Sequence, residues 1–245
     1  MDARLLIDGV SPGSWNMALD EALLESASQG GVQLRFYRWQ PATLSLGYFQ
    51  TLAARQTHAA SLPLPLVRRS TGGGAIVHDR ELTYSFTAPL RERFSQQPQR
   101  LVDCFHEALR RALADWGVAL DRCGDRAEAA RRDAPFLCFE RRAAEDLLCQ
   151  GFKVTGSAQR RHHGALLQHG SVLLHTSAHA SHLPGIADLS ATTLPIDQLQ
   201  AAWTAQLQQT LGYRFFLSSP DSAELMRAAA IQEDRYDDPH WTQRR

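Results

Sequence analysis

Arg68-Arg69-Ser70-Thr71-Gly72-Gly73-Gly74-Ala75-Ile76-Val77-His78-Asp79 is the stretch on which the reading of this 245-residue chain turns. Three consecutive glycines lose extra backbone entropy on folding. They are therefore kept where a chain turns sharply or where a ligand lies directly against the backbone. The flanking arginines carry planar, permanently charged forks that suit carboxylates or phosphates. The same residues also suit a plain glycine-rich hairpin turn with two exposed arginines. No Gly-Lys-Ser/Thr follows the glycines, so this is not a P-loop, and the spacing is not that of a dinucleotide fingerprint.

Working outward, the elements alternate in type. Pro12-Gly13-Ser14 reads as a helix start, with Met17, Leu19, Leu23 and Leu24 as the apolar stripe and Gly30-Gly31 as the stop. Val32, Leu34 and Phe36 alternate as a half-buried strand, followed by a second over Thr43–Tyr48. Leu82, Tyr84 and Phe86 alternate again. From Pro98 to Trp116 the apolar period becomes helical, through Leu101, Phe105, Ala108, Leu109, Ala112 and Leu113, and Gly117 ends it. Asp121–Asp133 is polar and reads as a loop. Three short strands follow near Asp146–Cys149, Phe152–Ser157 and Ala165–Leu174, and helices over Ile196–Leu211 and Ala223–Ile231. This order predicts an α+β fold. One catalytic domain is expected over residues 1–231, with 232–245 as a loosely ordered polar tail.

Lys153 lies in the apolar strand Phe152-Lys153-Val154-Thr155-Gly156-Ser157 and is the only lysine among 26 basic residues. A chain that uses arginine everywhere else has a chemical reason to keep one lysine. Burial would lower its pKa and make it a base or an electrostatic partner. The four cysteines (Cys104, Cys123, Cys138, Cys149) are irregularly spaced and form no disulfide framework, which fits a reducing cytoplasm. Lys plus Arg equals Asp plus Glu at 26 each, so no global basic field calls for nucleic acid. The N-terminal MDARLLIDGV is no signal peptide, and no stretch approaches a membrane span. His175, His179 and His182 would suit a metal only on a helix; Ser181, Pro184 and Gly185 argue for a loop, and no metal is expected.

With these segments in view, Arg68–Asp79 resembles the Arg-Arg-x-x-Gly-Gly-Gly-x-x-x-His-Asp signature of the lipoate-protein ligase A and octanoyltransferase family. Lys153–Arg161 is similar to that family's Lys-x-x-Gly-Ser-Ala-Gln-Arg-Arg segment, and Gln168-His169-Gly170-Ser171 to its next strand. Trp15–Glu21 and Leu46–Gln50 match in order as well. The resemblance covers residues 1–190. It implies a mixed, largely antiparallel sheet flanked by helices, related to the biotin ligase catalytic domain. It implies substrate contacts from Arg69, Gly72, Gly73, Gly74, His78, Gly156, Ser157, Gln159, His169 and Gly170.

The family divides into branches. Cys138, in Pro135-Phe136-Leu137-Cys138-Phe139-Glu140, resembles the nucleophile segment of one octanoyltransferase branch, although Arg141-Arg142-Ala143 replaces the commonest following residues. That branch moves an octanoyl or lipoyl group from acyl carrier protein to a lysine of lipoyl domains or glycine cleavage H protein, and requires no cofactor. Cys138 would form the acyl-enzyme, with Cys149 as the fallback nucleophile. Lys153 would stabilise the thiolate and accept the amine's proton. The alternative is an ATP- and Mg-dependent lipoate ligase; about 55 residues follow Ser190, too few for that branch's accessory domain. A non-catalytic acyl- or lipoyl-domain-binding protein is the third reading.

Overall fold

A computed structural model describes residues 1–92, 96–127 and 134–245. In chain order the elements begin with β1 (Asp2–Ser11), α1 (Gly13–Gln29), β2 (Gln33–Trp39), β3 (Thr43–Leu46), β4 (Leu66–Arg68), β5 (Ile76–His78) and β6 (Glu81–Pro89). The middle of the chain forms α2 (Pro98–Ala114), β7 (Asp121–Arg122), β8 (Leu147–Cys149), β9 (Phe152–His162) and β10 (Ala165–Leu173). Then come α3 (Ile186–Ser190), α4 (Ile196–Leu211), β11 (Arg214–Ser218), α5 (Ser222–Ile231) and α6 (Pro239–Thr242). The expected loop Asp121–Asp133 opens instead with β7 and a short 3-10 turn, and residues 128–133 lie outside the described residues.

The large sheet runs β11-β1-β2-β6-β10-β9-β8-β7. Only β1 pairs in parallel within it, with β11 on one side and β2 on the other; the remaining pairings are antiparallel. The α+β class with a mixed, largely antiparallel sheet is thus the observed one. The first strand and β11 carry no strong alternation and were not anticipated; their pairing joins Asp2 to Arg214 across nearly the whole chain.

Helices cover both faces, and the strands obey a period of two. Leu34 and Phe36 of β2 and Leu82, Tyr84, Phe86 and Ala88 of β6 face α2 and α4 in one apolar core. Trp203 of α4 centres it, 5.4 Å from the Phe36 ring and 5.0 Å from Tyr84, with its Nε1–H donating to the Phe105 carbonyl at 3.0 Å. The α2 stripe read from the sequence, Leu101 to Leu113, is fully buried against it. Each of its Leu and Phe side chains contributes roughly 1.5–3 kcal/mol by leaving water. The opposite sheet face meets α1 and α5 through a second apolar cluster that includes Leu6, Tyr37 and Trp39, but it also carries polar residues. Arg35, Glu81, Thr83, Ser85 and Thr87 are all buried on that side.

The glycine-rich segment is not a hairpin turn. Strands β4 and β5, which flank it, do not pair with each other: β3 lies between them, parallel to β4 and antiparallel to β5. Residues 69–75 therefore arch over the end of β3, and any side chain at Gly47 would run into the Gly73 carbonyl. The loosely ordered tail expected after Ile231 instead winds back over this region as a π-helical turn (Gln232–Tyr236) and α6, burying Tyr236 and Thr242. Among the described residues no helix is long and apolar enough to cross a membrane.

Candidate active site

Two cross-strand rows build the floor of a cavity on the α1 side of the sheet. Register aligns Gly156, Ser171, Thr83 and Tyr37 across β9, β10, β6 and β2, and next to them Ala158, His169, Ser85 and Arg35. Most of these residues line a cavity, whose walls also include Met17 of α1, Trp39, Ile76 and Phe139. Its mainly apolar lining suits the hydrocarbon part of a small molecule or an acyl chain. Tyr37, Trp39 and Thr83 were not singled out from the sequence, because strands buried on both faces do not announce which residues look into a pocket.

Lys153 reaches this side through a bulge. Leu148 pairs with Lys153 and Leu147 with Thr155, so β9 carries one extra residue there. Such an insertion re-aims the neighbouring side chain. The Lys153 stem now packs against Gly156, where an added Cβ would come within 2.8 Å of its Cε. Its Nζ donates to Asp146 Oδ2 at 2.7 Å and to the carbonyls of Cys138 and Arg141, each at 3.2 Å. The Cys138 Sγ is 4.0 Å away. Burial by itself pushes the ammonium down, yet the adjoining Cys138 and Asp146 outweigh it and hold Lys153 above its ordinary value. Of the two roles expected for Lys153, base or electrostatic partner, a raised pKa favours the charged partner at neutral pH. Asp146, its counter-ion, was missed in the sequence because the β8–β9 turn at Gln150-Gly151 is what brings it back to Lys153.

Cys138 opens a 3-10 turn (Cys138–Glu140) that docks onto the glycine arch: its N–H donates to the Ala75 carbonyl at 2.7 Å, and Ala75 N–H to the Phe136 carbonyl at 3.0 Å. Contact is close enough that a Cβ on Gly74 would lie 2.9 Å from the Cys138 backbone. Gly73, at φ +98°, has the left-handed backbone that favours glycine. Among the described residues no protein acceptor takes the N–H groups of Gly72, Gly73 or Gly74. Cys138, Gly72 and Gly73 all line the cavity. Cys149, the fallback nucleophile, sits in the core on β8, where burial pushes its thiol up.

The arginines beside the glycines turn inward. Arg69 is buried and spends its fork on the carbonyls of Ser45, Gly72 and Gly74, clamping the arch. Arg68 does the same for the C-terminal segment: it donates twice to the Thr242 carbonyl and also to the carbonyls of Gly47, Tyr48 and Gln50. Arg68 has no group to spare for a carboxylate or phosphate, and Arg69, which borders the cavity, keeps only its buried Nε–H without a partner.

His78 stacks on Trp39 and links Glu81 to Ser45, at 2.5 Å and 2.7 Å. Burial holds its pKa down despite Glu81. The neutral ring then donates Nδ1–H to Glu81 and accepts from Ser45, which itself accepts from Arg69. His169 lines the cavity between Thr71 (2.7 Å) and Asp20 (3.4 Å). Asp20 and Asn16 of α1 hold Arg35, while Tyr37 and Ser85 also donate to Asp20. That network is what the Trp15–Glu21 segment builds.

The remaining expected residues divide. Gly156 and Gly170 border the cavity. Ser157 also borders it, but its hydroxyl bonds Tyr84 and His106 on the α2 side. Gln159 lies away from the cavity and ties β9 to Gln168 and the Pro98 carbonyl. His175 and His182 pair with Asp188 and Glu140. Among the described residues no group of three or more His, Cys, Asp or Glu side chains is arranged to hold a metal.

Residues 12–206 match the lipoyl protein ligase A/B catalytic domain. Among curated proteins, octanoyltransferase LipM of Anoxybacillus flavithermus is 37% identical over 183 residues, covering 70% of this chain and 65% of that protein. Octanoyltransferase LipM of Moorella thermoacetica is 41% identical over 180 residues, covering 70% and 64%. The chain thus aligns with just under two thirds of the length of these relatives. Among solved structures, Ta0514 of T. acidophilum, a candidate lipoate protein ligase, superposes with a TM-score of 0.81 at 23% identity over the full length of both chains. That last likeness is one of fold.

Proposed function

The chain belongs to the lipoyl protein ligase A/B catalytic-domain family, and we propose that it is an octanoyltransferase of protein lipoylation working through a Cys138 acyl-enzyme. The observation that carries this is the Lys153 ammonium, 4.0 Å from the Cys138 thiol at the edge of an apolar cavity. A free thiol is a weak nucleophile at neutral pH, and a buried cation beside it favours the thiolate. The names of the octanoyltransferase relatives support the same reaction.

In the first half, the Cys138 thiolate attacks the carbonyl of an octanoyl thioester on acyl carrier protein, and the carrier sulfur departs as a thiolate. The vacant N–H groups of Gly72–Gly74 supply donors for the oxyanion. In the second half, the amine of a lipoyl-domain or H-protein lysine attacks the acyl-enzyme, an amide forms and Cys138 leaves. One carbon–sulfur bond is exchanged for a carbon–nitrogen bond, and the proton lost by the amine balances the one gained by the carrier sulfur. Lys153 stays charged throughout as the electrostatic partner. No ATP enters this sequence, and free cysteines suit the cytoplasm as its site.

Intact-mass analysis after mixing with octanoyl-carrier protein is the test. A single octanoyl adduct, absent from Cys138→Ala, is expected. No adduct together with ATP-dependent lipoyl transfer would replace this reading by the ligase, and neither activity would leave a binding protein.

A further inference from the structure

Beside the mouth of the cavity lies a cluster of arginines and aromatic rings that the acyl-enzyme chemistry does not use. Phe49 is 69% exposed, although it is large and apolar. Its ring approaches Gly72 within 3.8 Å of where a Cβ would stand, while Gly73 stands 3.9 Å from the Cys138 Sγ by the same measure. Arg245 lies over the Phe49 ring at 5.4 Å, and Arg244, Arg245 and Arg160 lie over Tyr48 at 4.5, 5.8 and 5.9 Å. A short chain of contacts therefore leads from the thiol, along the glycine arch and over Phe49, to exposed guanidinium groups.

The cluster is anchored to the arch. Tyr48 N–H donates to the Thr71 carbonyl at 2.8 Å and Arg160 to the Ser70 carbonyl at 2.9 Å. The Leu52 N–H holds the Arg245 carbonyl at 2.8 Å. Among the described residues no Asp or Glu side chain pairs with Arg160, Arg244 or Arg245. Their unneutralised charge is felt by Arg68, which burial first and then Arg244 and Arg245 push down. Positive charge brought together without acidic side chains attracts an anion, and stacked arginines present their forks edge-on to one.

We propose that this cluster docks the anionic arm of the acyl donor, binding the phosphodiester of a pantetheine-type thioester carried on an acidic carrier protein. The inference rests on the acyl-enzyme reading and adds the surface that selects its donor. Arginine forks match phosphate oxygens bidentately, and Phe49 gives the uncharged part of the arm an apolar surface on the way to Cys138. Charges at such a rim act mainly on association and salt dependence.

The experiment measures Cys138 acylation by two donors, octanoyl-carrier protein and the uncharged thioester octanoyl-N-acetylcysteamine. Arg244→Glu/Arg245→Glu should lower the carrier-to-small-donor rate ratio about tenfold or more at low salt. Added salt should erase most of the difference from the unsubstituted protein. Arg244→Lys/Arg245→Lys keeps the charge and should keep most of the ratio. An unchanged ratio, an equal loss with both donors, or a loss confined to transfer onto the lipoyl domain would each overturn the inference. Absence of any Cys138 adduct in the unsubstituted protein removes the acyl-enzyme reading as well, which distinguishes the two failures.

Discussion

Replacing Lys153 by Met removes the cation and keeps most of its bulk, so it separates the two tasks assigned to the side chain. Lys153 and Asp146 are 2.7 Å apart with both side chains 5% exposed. Solvent screens such a pair little, and leaving Asp146 buried without its partner should cost about 3–5 kcal/mol. The double variant Lys153→Met/Asp146→Asn removes both charges and keeps an acceptor for the Ala143 N–H that Asp146 now binds at 2.7 Å. It should regain most of that stability. Catalysis should not return with it. At the 4.0 Å separation of Nζ and Sγ, a unit cation attracts a thiolate by about 4 kcal/mol at an effective dielectric of ~20. Asp146, bonded to the same ammonium, opposes part of this attraction, so the double variant should acylate roughly tenfold or more slowly. Urea denaturation at pH 7 reads the first quantity, and single-turnover acylation followed by intact mass reads the second. A double variant that is both stable and fully active would refute the thiolate-stabilising role and leave Lys153 a structural cation.

Three further outcomes are expected. Burial holds His106 at about 4, against an ordinary value of 6.5, so the unfolded chain takes up a proton that the folded one refuses. Stability should fall by up to about 3 kcal/mol as pH drops from ~6.5 to ~4, and the urea midpoint of His106→Gln should fall less over that range; identical pH profiles would contradict the buried neutral ring. Gly74→Ala places a methyl 2.9 Å from the Cys138 backbone and should displace the thiol, cutting acylation by roughly tenfold or more for about 1–3 kcal/mol of stability; normal acylation would show that the arch does not position Cys138. Arg68→Met strips the Thr242 carbonyl of both its donors and should speed proteolytic clipping after residue 236, at an overall cost of about 2–3 kcal/mol; unchanged clipping would mean that the C-terminal segment is held elsewhere.

Much of this was legible in the chain because the relevant residues are locally expensive. Three consecutive glycines and a lone lysine each demand a reason: the glycines border the cavity, and the lysine stands behind the cysteine at its edge. The alternation of Leu82, Tyr84 and Phe86 gave the strand and its core face. What stayed hidden depends on contacts distant in sequence. The edge pairing of β1 with β11 leaves no local trace, and the polar residues facing α1 become a pocket floor only once four strands are in register. By their chemistry the arginines of the glycine segment suit either a ligand or an exposed turn, whereas the carbonyls of the arch take the Arg69 fork and those of Thr242, Gly47, Tyr48 and Gln50 take that of Arg68. For Lys153 the sequence leaves base and electrostatic partner both open, because neither Asp146 nor the bulge that turns the side chain toward it shows in a one-dimensional pattern.

The cavity floor and the main core share strands: Thr83 and Ser85 look one way while Leu82, Tyr84 and Phe86 look the other. A substitution in the floor therefore tugs on the packing behind it, and a one-residue slip of β6 would exchange the two faces outright. The roof is different. Met17, Ile76 and Phe139 reach the cavity from a helix, the end of a short strand and a loop turn, none of which carries the central β2–β6–β10 ladder. If relatives of this protein come to accept longer or shorter chains, the changes should accumulate overhead, where the scaffold can absorb them, while the floor stays as it is.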